Sequence, residues 1–182
     1  MPESASEPTL RRVLALSLMD GWCMSLFSGF CTLGSLLTGE WAGAAVGGIV
    51  MSCGLTTLRN RRRLLRGEAG GMEWLLRAQL VVIGVVFLFV VQCLLAFDPV
   101  ALKHGLDSLE TNSLIGGLLL NQLAQYGLSI TDLHPLLKPV YVGFYLLVMG
   151  CTLLFQGGLA FFYLTRRALV RAELAGRVGE GL

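Results

Sequence analysis

Arg59-Asn60-Arg61-Arg62-Arg63-Leu64-Leu65-Arg66 stands between two long apolar runs and places five arginines in eight residues. A cluster this basic is hard to carry across a membrane and stays on its cytoplasmic side. Arg59, Arg61, Arg62, Arg63 and Arg66 are therefore read as topology determinants. The loop they are expected to form sets the sidedness of every apolar run around it.

Composition agrees with a membrane protein. Hydrophobic residues make up 54% of the 182 and charged residues only 14%, and the apolar ones come in blocks long enough to cross a bilayer. A soluble chain of this size needs more charge to cover its surface. The net charge of +2 says less than its distribution does. All twelve arginines fall at Arg11 and Arg12, from Arg59 to Arg77, or from Arg166 to Arg177, while Lys103 and Lys138 stand apart in a long loop.

Working outward, residues 1–12 read as a disordered cytoplasmic N-terminus, short and polar with Pro2, Ser4, Ser6 and Pro8. The first span is 13–37. Its 25 residues exceed the roughly 7 to 15 of a secretory signal core, and Asp20 interrupts it, so it is expected to stay uncleaved. Thr38-Gly39-Glu40 is a tight external turn, and Trp41 anchors the second span, 41–58, at the interface. The arginines follow, then a third span over 74–97, an external loop over 98–138, a fourth span over 139–164, and a cytoplasmic tail over 165–182. Each span matches the roughly 30 Å of hydrocarbon. Helices alone satisfy the backbone there, because no barrel-type alternation is present. The expected fold is an all-α four-helix transmembrane bundle, residues 13–164, with both termini cytoplasmic.

The second span carries the clearest packing signal. Gly39, Gly43 and Gly47 recur every four residues, and Gly54 continues the face. Missing side chains let helix backbones approach closely, which drives association where lipid competes for apolar surface. The first span offers a matching stripe of Ser17, Gly21, Ser25, Ser28, Thr32 and Ser35. An antiparallel pair on these small faces is expected. The alternative, glycines facing another subunit, has the same spacing.

Asp20 is the one acidic residue inside a span, and its burial needs a reason. Arg77, Gln79 and Gln156 enter their spans at comparable depth, so four polar side chains on three helices are expected to form an intramembrane cluster. One reading is a proton or ion relay, or a polar substrate site. The other is an Asp20–Arg77 ion pair with the glutamines satisfying leftover groups. The ion pair is favoured, since a relay usually shows more than one titratable group at depth.

Cys23, Cys31, Cys53, Cys93 and Cys151 all lie within spans and form no C-x-x-C pair. Four spans with a long third loop is also the layout of quinone-linked disulfide-forming membrane proteins. Those need external cysteine pairs, and this external loop has none. The thiols read as small packing residues. His104 and His134 both fall in the loop, leaving no imidazole within a span to ligate haem. The loop itself shows helical periodicity, with Leu114, Ile115, Leu118, Leu119, Leu123 and Tyr126 on one face. An amphipathic external helix between spans three and four is expected there.

Arg63-Leu64-Leu65-Arg66, Ala78-Gln79-Leu80, and Gln156-Gly157-Gly158-Leu159-Ala160 ahead of Arg166-Arg167 together resemble a layout shared by small four-span bacterial inner-membrane proteins of an uncharacterised family. The resemblance spares the external loop. It implies a topology and no activity.

No nucleophile–base pair or metal-ligand set is visible, so no catalytic residue, metal or cofactor is expected. The expected function is non-catalytic: an inner-membrane protein acting by helix association, as an accessory subunit or homo-oligomer. Its partners are the lipid bilayer and other membrane helices, with no role for nucleic acid. The alternative is a small transporter or channel subunit using the polar cluster around Asp20.

Overall fold

The computed structural model describes residues 7–100, 121, 125 and 134–180. Those residues are helical, with no strand among them. Helix α1 covers Glu7–Leu37, α2 covers Trp41–Leu65 and α3 covers Gly71–Leu95. A 3-10 turn, His134–Leu136, then leads into α4, Leu137–Thr152. A π-helical turn, Leu153–Gly157, joins α4 to α5, Gly158–Glu180. Four stretches are long and apolar enough to cross a membrane: Thr9–Leu37, Trp41–Leu65, Gly71–Leu95 and Leu137–Gly176. The amphipathic helix expected within 98–138 falls on residues 101–133, which apart from 121 and 125 lie outside the described residues.

Three boundaries differ from the sequence reading, for one reason. The segment expected to be disordered is helical from Glu7, with Pro8 in its first turn. Proline is tolerated there because the first turn has no intrahelical use for its missing N–H. The arginine cluster is the last two turns of α2 and not a loop. The tail after residue 164 continues as helix to Glu180. Arginine, leucine and glutamate are good helix formers, and a charge run that leaves the bilayer still keeps its backbone hydrogen bonds. Loss of hydropathy marks the end of a span. It does not mark the end of a helix.

Glycine ends the first two helices. Gly39 has φ +76° and Gly67 φ +84°, the left-handed conformation that glycine adopts without strain. At the first, Glu40 N donates to Ser35 O at 2.8 Å and Gly39 N to Leu36 O at 3.2 Å. At the second, Glu68 N donates to Arg63 O and Gly67 N to Leu64 O, both at 3.0 Å. These are two Schellman caps, each satisfying carbonyls the helix end leaves over. Gly39 therefore belongs to the turn and contributes nothing to the packing face, where it was expected.

The other glycines of that face do pack, and they pack on α1. A side chain at Gly54 would lie 2.9 Å from Ser25 N and 3.0 Å from Gly21 O. At Gly47 it would lie 3.2 Å from Ser28 O and from Thr32 N, and at Gly43 it would meet Ser35 Oγ at 2.6 Å. The small faces of α1 and α2 thus fill each other inside one chain. Arg61 adds a polar link, its Nε donating to Leu14 O at 3.0 Å.

The chain forms two compact units, residues 1–89 with 150–182, and residues 90–149. In the first, Val13, Leu64, Met72, Leu75, Tyr163 and Val170 make a buried core at the arginine end. A second cluster of Met24, Cys53, Ala78 and Val82 lies farther along α1 and α3. In the second unit, Tyr141 stacks against Phe97 at 5.0 Å and its hydroxyl donates to Cys93 O at 3.0 Å, tying the end of α3 to the start of α4. Only Cys53 is buried. Cys23, Cys31 and Cys151 are exposed on the helix exteriors, so the expectation of uniformly buried packing thiols is corrected.

Candidate functional site

The buried face of α3 runs Met72, Leu75, Ala78, Val82, at helical spacing, and Gln79 falls within it. Its side chain has no solvent exposure, and its only route to satisfaction lies across the helix interface. Asp20 on α1 supplies it. Gln79 Nε2 donates to Asp20 Oδ2 at 2.6 Å, a short hydrogen bond. Gln156 Nε2 donates to the other carboxylate oxygen, Oδ1, at 3.4 Å, near the limit of a hydrogen bond. One carboxylate thus joins α1, α3 and the fourth span.

Gln156 reaches this position from within the π-helical turn Leu153–Gly157. Such a turn holds one residue more than an α-turn. Gln156, Ala160 and Tyr163 lie at i, i+4 and i+7 and so share one helix face, on which Ala160 and Tyr163 are buried.

Arg77 takes no part. It stands two residues from Gln79, and positions i and i+2 lie on nearly opposite sides of a helix. Its side chain is exposed, with the guanidinium 5.2 Å from the Trp74 ring centroid in an interfacial cation–π contact. The expected Asp20–Arg77 ion pair is absent, and the cluster of four is a cluster of three. The carboxylate has no cationic partner among the described residues, and two neutral amides are its side-chain donors.

The sequence reading missed Tyr163. It is 1% exposed, and its hydroxyl has no partner among the described residues. Its signal was a phenol seven residues beyond Gln156 within an apolar span. Gln79 Oε1 and Gln156 Oε1 are also buried without a partner. The two amide oxygens beside the carboxylate, and the Tyr163 hydroxyl, are hydrogen-bonding capacity not used among the described residues.

The five arginines expected to set the topology divide into two kinds. Arg59, Arg62 and Arg66 are exposed. Arg61 holds Leu14 O, and Arg63 is paired with Glu68 at 3.8 Å. Arg171 pairs with Glu73 across α5 and α3. No three His, Cys, Asp or Glu side chains gather into a ligand set among the described residues. Comparison with protein-family models, curated proteins and solved structures found no match, so this geometry and the sequence carry the functional reading alone.

Proposed function

We propose that this chain is a multi-pass inner-membrane protein with both termini and the arginine cluster cytoplasmic, acting without catalysis by helix association as an accessory subunit or homo-oligomer. The fourth span carries the reading. Only 6% of its apolar window is buried by the rest of the chain, against 22–33% for the other three. A side-chain carbon added at Gly143 or at Gly150, seven residues apart, would meet no neighbouring element within 4 Å among the described residues. Leu147 between them is 63% exposed. Two glycines at that spacing share a helix face, and such a face admits another helix closely. Gly43, Gly47 and Gly54 of α2 no longer support association, because α1 occupies them.

Cys151, exposed beside Gly150, supplies the test. A variant keeping only this cysteine should cross-link in native membranes, to a second copy or to a heavier partner. Gly143→Leu with Gly150→Leu should abolish the cross-link and leave the thermal stability of the purified chain unchanged. Absence of any cross-link to the parent single-cysteine chain would refute association through this face.

The second reading, a small transporter or channel subunit using Asp20, is favoured by the unpartnered Gln79 Oε1, Gln156 Oε1 and Tyr163 hydroxyl. It requires Asp20→Asn to abolish proton-coupled or ion flux in proteoliposomes while the fold persists. Flux that is absent from the parent chain, or that survives the substitution, rejects this role.

A further inference from the structure

A cavity of about 280 Å³ opens at the arginine end of the first unit. Leu10 and Leu14 of α1, Leu64 and Leu65 of α2, and Leu174 of α5 wall it. Arg66 and Gly67, where α2 ends, complete the lining. The apolar wall and the guanidinium demand different things of an occupant. Leucine side chains favour hydrocarbon, whereas an exposed arginine at a membrane boundary favours an anion.

The charges around the cavity sharpen that demand. Glu68, in the turn after Arg66, is held by Arg63, and Glu73 at the start of α3 is held by Arg171. Arg62 and Arg66 are one turn apart, exposed, and without an acidic partner among the described residues. Glu68 and Glu73 are thus occupied by other arginines, and the Arg66 guanidinium stands at the apolar opening with Arg62 one helical turn away. The cavity volume falls just below the roughly 300–1,000 Å³ of whole small-molecule sites. It suits part of an acyl chain, with the headgroup left outside at the arginines.

We infer that this cavity holds one anionic phospholipid, its acyl chain against the five leucines and its phosphate at Arg62 and Arg66. This is a bound lipid at a defined place. It is distinct from the diffuse attraction that every juxtamembrane arginine exerts on an anionic leaflet. A soluble phosphate compound would gain nothing from the leucine wall.

Native mass spectrometry of the full chain in neutral detergent tests it, with phosphatidylglycerol and phosphatidylcholine of identical acyl chains. One saturable phosphatidylglycerol adduct is expected, with phosphatidylcholine held at least about fivefold more weakly. Arg66→Gln and Arg62→Gln should each weaken the adduct about fivefold, the equivalent of one charge near the surface. Arg167→Gln, an exposed arginine outside the lining, should leave it unchanged. Leu65→Trp keeps every charge and fills the opening from a position already 56% exposed, and it should remove the adduct. Leu14→Phe fills the cavity from α1, so that loss of folding in one filling variant leaves the other to report. Equal retention of the two lipids overturns the inference, as does an adduct that survives both filling variants. Displacement of the lipid by inorganic phosphate also overturns it, because the site would then read the anion and not the chain.

Discussion

Gly54→Ala is the sharpest perturbation the α1–α2 contact offers. The new methyl would sit 2.9 Å from Ser25 N and 3.0 Å from Gly21 O, both backbone atoms that no rotamer change can move. A carbon contact relaxes near 3.5 Å, so the helices must separate by about 0.5 Å, forfeiting roughly a quarter of each van der Waals contact along the seam. With about 0.15 kcal/mol per atom pair and on the order of 30 pairs, that loss is about 1 kcal/mol. Strain left in the overpacked contact brings the total to about 1–3 kcal/mol. Alanine's better helix propensity offsets up to about 1 kcal/mol. Gly48→Ala is the internal control, because nothing lies within 4 Å of its added carbon. It gains the propensity term alone and should be neutral or slightly stabilising. Gly43→Ala should fall between them, since it meets the rotatable Ser35 Oγ. Thermal unfolding of the three variants in one mild detergent, followed by circular dichroism, reads the series. A 2 kcal/mol loss in a chain of this size corresponds to a midpoint lowered by about 4–8 °C. Equal midpoints for Gly54→Ala and Gly48→Ala would refute the close packing of the two helices.

Other outcomes follow from the same geometry. Gln79→Leu removes the short bond to Asp20 and should cost about 1.5–3 kcal/mol, with strong non-additivity in a double-mutant cycle against Asp20→Asn. Arg77→Gln should cost no more than about 1 kcal/mol and add independently to Asp20→Asn, because Arg77 touches Trp74 and not the carboxylate. A non-additive Asp20–Arg77 cycle in detergent would restore the ion pair. Breaking the exposed Arg171–Glu73 pair should change stability by no more than about 1 kcal/mol, and less in high salt. Single cysteines at Ser6 and Arg62 should resist a membrane-impermeant thiol reagent in intact cells, while one at Asp107 should label. Reversed labelling would invert the topology.

The class of the molecule was legible in its sequence because hydropathy and helix length are local properties. Four apolar runs of sufficient length, separated by arginines or turns, can be counted without knowing what any of them touches. The small faces of the first two spans were legible too, since two helices joined by a three-residue turn have little choice of neighbour. Spacing alone could not say whether those glycines met α1 or another chain, and Ser25 N beside Gly54 decides it. Gly39 matched the four-residue period yet belongs to the cap, because a periodic count cannot see φ +76°. The polar cluster was legible as composition and not as contact. Depth along each helix brought Arg77 and Gln79 together, but rotation about the helix sets them on different sides. For Gln156 the spacing to Ala160 and Tyr163 gave the shared face but not the helix which that face meets. Sequence determines which side chains need a partner in the membrane. The angle at which each helix presents them is fixed by packing against the others, and only the tertiary structure contains it.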